Sequence, residues 1–399
     1  MAFIKKNIST PLILFATSTL MMGIYSGLYD PSFNNYLAQV HNVSEVTRGA
    51  LEFPRELPGF LVVFIFTALL FLADTRIASV SALLVGLALW GQGFLAPNIA
   101  TVIVWMFIWS TGAHLYMAMT QPIALRLATE GQEGRRLGQL GSLEALGAIL
   151  GMIVVYWGAS RYHISFGVLF GIAGGCAMLA SLGLFLIKPQ PLTNVSRRLV
   201  FKKKYTLFYI LNVLFGARKQ IFLTFAPWVL IKVFHANIET FAILGFIGTV
   251  LSIFFRPLLG RAIDAWGERQ IIVMESCVLI VISILYGFSP SWFSTQVAML
   301  IIMACFICDQ LLFSVRIART TYLARIADGP EDIASTISMG LSLDHAVSML
   351  IPLGGGLLWA HYGYLPVFLI AGGLAVCNLL VANRCVGPFV IYLYICPRH

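Results

Sequence analysis

The sequence is short of charge. Of its 399 residues only 11% are Asp, Glu, Lys or Arg, while 59% are hydrophobic. Ordinary soluble domains carry about 25% charge. That shortage argues against a water-soluble globule, because such a chain cannot hide this much apolar surface in one core; a bilayer is the expected solvent. Acid is scarcer than base, 17 residues against 26, for a formal net charge of +9. The cations fall in short loops between apolar runs, which suits membrane orientation and not a nucleic-acid groove, so no nucleic-acid partner is expected. Cysteine is sparse too. The seven are scattered, mostly inside apolar runs, so a disulfide framework is not expected. A lone CxxC at Cys305 to Cys308 lacks a second pair at matching spacing, and two small side chains on one helix face account for it. There is no GxxxxGK[ST] loop, no metal-binding cluster and no nucleophile motif. No enzyme, metal or cofactor is expected.

What the chain does have is apolar runs of bilayer-spanning length. Twelve are readable, at about 12–34, 50–73, 77–95, 101–126, 138–158, 164–187, 206–231, 240–259, 270–288, 296–324, 334–358 and 364–382. The basic start and apolar first run could be a signal peptide, but the run is long and no cleavage site follows, so it reads as the first membrane helix. Lys5, Lys6, Arg76, Arg135, Arg136, Lys188, Arg197, Arg198, the Lys202–Lys204 trio, Arg261, Arg269 and Arg325 lie on one side of this topology; only Arg48, Arg161 and Lys232 lie on the other. The bias places both termini in the cytoplasm. The longest loop, "KPQPLTNVSRRLVFKKK", lies midway. The expected organisation is a six-helix bundle over 1–188, a basic linker over 189–204, a second six-helix bundle over 205–383 and a tail over 384–399. The tail is too short for a thirteenth span and receives no function.

The halves resemble each other. "ALRLATEG" around Arg126 and "LARIADGP" around Arg325 each close the fourth run of a half, and "SLEALG" and "SLDHAV" follow. Glu144 and Asp344 fall on equivalent positions, 344 − 144 = 200 residues apart. A parallel duplication would relate them by a pseudo-two-fold axis.

At the end of the eighth run stands "GRAIDAWGER", with the spacing Gly-x3-Asp-x2-Gly-x-Arg. Gly260 would let helices approach closely, Gly267 would permit a tight turn, and Asp264 could accept from a helix N-terminus and a cation. This resembles the loop motif of the major facilitator superfamily, which lies between the second and third helices of a half. The resemblance implies an all-α membrane protein of twelve helices in two pseudo-symmetric six-helix bundles. It also implies gating roles for Gly260, Asp264, Gly267 and Arg269, with Arg325 as the expected partner of Asp264. In the first half "LLFLADTRIAS" keeps Asp74 and Arg76 but has Leu70 and Ile77 at the glycine positions, so the equivalent lock, Asp74 with Arg126, is the weaker expectation. "GRRLG" at Gly134 to Gly138 is similar to the family's basic loop. "LGAILGM" has Gly147 and Gly151 without the Gly-Pro of drug antiporters.

The resemblance further implies that the first, fourth, seventh and tenth helices line a cavity, while the third, sixth, ninth and twelfth face lipid. The ninth run holds only Glu275, near its start. Arg218 and Lys219 are adjacent in the seventh run, about 18 Å of helix rise from its beginning. They point about 100° apart and need not share a partner. Asp309, Arg316 and Arg319 lie in the tenth run, Glu144 in the fifth and Asp344 with His345 in the eleventh. Three uses stay open: a cation binding an anionic solute, an acid carrying a proton, or ion pairs that fix packing. Glu52, Arg55 and Glu56 share one face at the outer start of the second run and suggest a gate or packing bridge. His114 could relay protons or simply pack; Tyr25, Tyr29, Asp30 and Trp228 could line the cavity or, for the aromatics, mark the interface.

The expected function is secondary transport of a small polar or anionic solute by alternating access, coupled to protons. Two alternatives stand beside it: export of drugs or amphiphiles, and a membrane sensor or scaffold without flux. The expected partners are a small-molecule solute, protons and lipid. The expected state is a monomer in the inner membrane of a bacterium.

Overall fold

The computed structural model describes residues 9–69, 72–129, 132–189 and 201–385. Lys5 and Lys6, Leu70, linker residues 190–200 and tail residues 386–399, on which several expectations rested, lie outside the described residues. All regular structure among the described residues is helical. The helices are α1 (Thr10–Gln39), α2 (Glu45–Ala50), α3 (Glu52–Ala68), α4 (Asp74–Phe94), α5 (Ile99–Arg126), α6 (Glu133–Tyr162), α7 (Phe166–Leu186), α8 (Thr206–Lys232), α9 (Ile238–Trp266), α10 (Glu268–Trp292), α11 (Thr295–Leu312), α12 (Arg316–Ile326), α13 (Pro330–Tyr362) and α14 (Leu365–Ala382). A 3-10 turn, Phe313–Val315, joins α11 to α12 as one span.

Every apolar run read from the sequence forms a helix. Ten spans are long and apolar enough to cross a membrane. The other two are α3, with 17 residues, and α8, which carries Arg218, Lys219 and Lys232. Helix ends follow local chemistry. Ser44 and Ser165 accept from backbone amides in the first turns of α2 and α7, and Asn98 with Thr101 forms a capping box on α5. Gly267 caps α10 at φ +82°, the left-handed conformation its motif position required.

The chain forms two compact units. One comprises residues 1–42, 57–195 and 237–249; the other comprises 43–56, 196–236 and 250–399. In the first unit α1 packs on α6 and α7, and α4 packs on α5 and α7. Small residues make the α1–α6 contact. A Cβ on Gly27 would come 2.8 Å from Ala148 Cα, and one on Gly147 would come 3.0 Å from Gly23 Cα. In hydrocarbon, where helix association depends on close packing, such contacts replace a hydrophobic driving force. In the second unit α13 packs on α8 and α2, and α10 packs on α14 and α11.

The duplication is visible in backbone contacts. Gly23 of α1 lies against the backbone of Glu144 on α6, and Gly216 of α8 lies against Asp344 on α13. The equivalent acids thus pack on a glycine of the first helix of their own half. Gly260 behaves otherwise. A Cβ there would meet nothing within 4 Å, so its expected role in close helix approach is corrected. Gly216→Ala should therefore destabilise by about 1–3 kcal/mol through overpacking, whereas Gly260→Ala should be neutral or stabilise by up to about 1 kcal/mol through helix propensity. Thermal unfolding of both variants in one detergent checks the contrast.

Candidate functional site

Arg218 and Lys219 point to different helices, as their 100° offset requires. The Arg218 guanidinium is ion-paired with Asp309 of α11, and its Nη2 lies 3.6 Å from Glu275 Oε1 of α10. Glu275 Oε2 in turn accepts from Arg319 Nη2 of α12 at 2.6 Å. Two cations and two carboxylates make a neutral quartet, and all four are buried. Aromatic rings enclose it: Arg218 sits 5.4 Å from the Phe215 ring and 5.5 Å from Phe313, and Arg319 sits 4.5 Å from Phe215. Lys219 Nζ donates to Asp344 Oδ1 at 2.8 Å and Oδ2 at 3.0 Å, and Ser348 Oγ donates to Oδ1 at 3.2 Å. The Lys219 side chain keeps 14% exposure against 3% for Arg218, so the lysine pair is the more accessible of the two.

The next residue on α8 reaches a third acid. Gln220 Nε2 donates to Glu52 Oε2 at 2.6 Å, and Glu52 Oε1 pairs with Arg48 at 2.5 Å and Arg55 at 3.1 Å. Glu56 Oε2 lies 2.8 Å from His345 Nδ1, beside Asp344 on α13. The Glu52, Arg55 and Glu56 trio is thus part of the second unit's polar network. Arg48, fully buried, and Gln220 were not among the expected site residues. The signal for Arg48 was its i,i+4 spacing to Glu52. Glu275 was missed because the resemblance assigned its helix to lipid; it is 2% exposed and bridges two arginines. Arg316 is exposed at the start of α12, so Arg319, nearly one turn on, takes the buried place expected for it.

The gating pairs also differ from expectation. Arg325 Nε bonds Glu268 Oε1 at 2.8 Å, not Asp264, which is exposed in the last turn of α9 before Gly267. Glu268 is the first residue of α10, where the helix N-terminus favours an acid. The weaker expectation, Asp74 with Arg126, forms an ion pair with Asp74 as the first residue of α4. Each half therefore ties the start of its third long helix to the end of its fourth. Arg269 Nη2 donates to Asn383 Oδ1 at 3.2 Å.

In the first unit Tyr25 accepts from Trp109 Nε1 at 3.1 Å, and Tyr29 donates to Gln92 Oε1 at 3.0 Å. These aromatics are buried hydrogen-bonded residues, and Trp228 of the second unit is fully buried by its packing; none belongs to an interfacial belt. His114 Nδ1 lies 2.9 Å from the Ser110 carbonyl oxygen. Glu144 is exposed, unlike Asp344, and lines a cavity of about 240 Å³ with Thr19, Tyr116, Thr120 and Gln121.

The family model described as Major Facilitator Superfamily matches residues 15–339. The chain belongs to the Major Facilitator Superfamily. No curated protein matches it by sequence. Among solved structures, the nucleoside transporter NupG superposes with a TM-score of 0.75 at 14% identity, covering 95% of this chain and 99% of that one. A point mutant of NupG gives 0.77 at 14% identity, with 94% and 100% covered. A D-xylose-proton symporter gives 0.69 at 17% identity, with 94% and 97% covered. These likenesses establish the fold of this superfamily member, and its long apolar helices make it a multi-pass membrane protein.

A second polar cluster lies outside the spans of this MFS chain. Just before α8, Lys202 Nζ bonds Asp332 Oδ2 at 2.5 Å, Lys204 pairs with Asp328, and the Tyr205 hydroxyl donates to Asp332 Oδ2 at 2.7 Å while accepting from the Asp328 amide at 3.1 Å. The clasp ties the approach to α8 onto the α12–α13 loop and the first turn of α13. Hydrogen bonds from Lys202 and then Tyr205 lower the Asp332 pKa, and that from Lys204 lowers the Asp328 pKa. The same bonds raise the pKa of Lys202 and Lys204.

Three outcomes follow for this site. Arg218→Ala should destabilise by about 3–5 kcal/mol because it strands buried carboxylates, while Arg316→Ala should change stability by no more than about 0.5 kcal/mol; thermal unfolding in detergent measures both. The depressed acids stabilise the clasp above the ordinary carboxylate pKa and lose that contribution as pH falls through their lowered values. The raised lysines lose theirs as pH rises through their elevated values. Hydrogen exchange at the Asp328 amide, corrected for intrinsic rate, should stay protected between the ordinary carboxylate and lysine pKa values, about pH 4 to 10, and open only beyond both ends. Replacing both acids by Asn should remove the acid limb.

Proposed function

We propose that this MFS protein is a proton-coupled secondary transporter of a small, polar, uncharged solute, working by alternating access as one chain in a bacterial inner membrane with both termini in the cytoplasm. The observation that carries the reading is the Lys219–Asp344 pair, a charge pair in mid-helix whose cation is less buried than the adjacent Arg218. Ionisable groups placed inside a membrane commonly mark proton relays. Removing Lys219 from Asp344 would leave a buried carboxylate without its cation, a state that favours taking up a proton. A solute that separates the two would thereby link its own movement to a proton.

An anionic solute is the poorer match. Arg218 is already balanced by Asp309 and Glu275, and Lys219 by Asp344, so neither cation has charge to spare. Hydroxyl and amide groups such as Thr19, Tyr116, Thr120 and Gln121 around the cavity beside Glu144 favour a solute that exchanges hydrogen bonds. The nucleoside transporter and the D-xylose-proton symporter of the same fold are named for solutes of that character. At 14% and 17% identity they set the first compounds to try.

Proteoliposomes loaded with a pH-sensitive dye and supplied with a panel of nucleosides and pentoses test this. Wild type should acidify its lumen with at least one compound and accumulate it under an imposed proton gradient. Asp344→Asn should exchange the same compound across the membrane at equilibrium yet fail to accumulate it. Accumulation by Asp344→Asn equal to wild type would remove Asp344 from coupling.

A further inference from the structure

Within the second unit, a cavity of about 670 Å³ opens between α9, α10 and α11. Its walls include Leu258 and Ala262 of α9, Met274 and Val278 of α10, and Leu312 of α11. Almost the whole lining is apolar. Leu258, Met274 and Val278 are also exposed at 59%, 50% and 38%, so the groove continues an outward apolar face. In a chain whose helices span a bilayer, that face meets acyl chains.

Two features distinguish this groove from ordinary lipid-facing surface. The first is its mouth. Arg261 lines it, is exposed, and makes no ion pair among the described residues; Trp266, 55% exposed, lines it about one and a half turns on, at the end of α9. A cation and a tryptophan at a helix end fit the headgroup level of a bilayer. Arg269 follows at the start of α10, and Glu268 is already taken by Arg325, which leaves exposed Asp264 as the opposing acid. The second feature is the floor. Glu275 lines it, the same carboxylate that joins Arg218 to Arg319, and its Oε1 has no hydrogen-bond donor. The Glu275 side chain is itself enclosed by protein, so the groove ends on a closed floor.

We infer that this groove binds one acyl chain of an anionic phospholipid, with the headgroup phosphate on Arg261 and the chain along the apolar walls. The charge of the mouth selects an anionic over a zwitterionic headgroup, and the apolar body accepts any chain. The inference concerns lipid recognition and stands whether or not the transport reading does.

Brominated lipids quench tryptophan on contact and give a direct test. The protein would be placed in nanodiscs containing a minor fraction of phosphatidylglycerol or phosphatidylcholine with identical dibrominated chains. Greater quenching by the phosphatidylglycerol is expected, and the excess should vanish in Trp266→Phe, in Arg261→Ala and in Ala262→Phe, which fills the groove. Because Arg261 is exposed, Arg261→Ala should unfold at the wild-type temperature, which separates lost binding from lost folding. Equal quenching by the two lipids in wild type would overturn the proposal, as would an excess that survives in Arg261→Ala.

Discussion

Three consecutive side chains of α8 each hold a different carboxylate. Arg218 takes Asp309, Lys219 takes Asp344 and Gln220 takes Glu52. A helix turns by about 100° per residue, so neighbours in sequence are directed to different neighbours in space. In a low-dielectric interior each of these acids would be costly alone, and each cation likewise. The second unit is therefore assembled around α8: α10, α11 and α12 through the arginine quartet, α13 through Asp344, and α2 with α3 through Glu52. The pairs differ in enclosure. The quartet is sealed by Phe215, Phe222 and Phe313, and the lysine pair is less enclosed.

The first unit solves its interior differently. Its buried polar groups are mostly neutral: Tyr25 with Trp109, Tyr29 with Gln92, Ser79 with Ser181. Its helices are held by glycine contacts, Gly23 and Gly27 against Gly147 and Ala148. The two halves keep one packing relation, a first-helix glycine against the backbone of Glu144 or Asp344, while the side chains there have diverged. Asp344 is buried on Lys219, and Glu144 faces an open cavity. The common backbone relation sets the fold, and the divergent chemistry separates a hydrogen-bonding half from an ion-paired one.

Much of the architecture was legible in the chain. Twelve apolar runs became helices because hydropathy and length are properties of a continuous segment. The positive φ of Gly267 was likewise readable from its turn motif. Site membership was partly legible: a charge inside an apolar run is anomalous wherever it stands, so Arg218, Lys219, Asp309 and Asp344 declared themselves. Glu275 did not, since a position near a helix start looked harmless and its helix was assigned to lipid. Arg316 and Arg319 differ by less than one turn, and only packing decides which of them turns inward.

Pairing was the part that needed tertiary structure. The partners of Arg218, Lys219 and Gln220 lie 91, 125 and 168 residues away. Local pattern carries no information over such distances. The same limit explains Arg325, whose place near a helix end was clear but whose choice of Glu268 over Asp264 turned on four residues of register. By itself the sequence determined that this chain spans a membrane in two similar halves and that several charges lie within its spans, because charge inside an apolar run is costly enough to be rare. Only the folded chain decided which cation answers which acid, because that depends on helix rotation and packing between segments far apart.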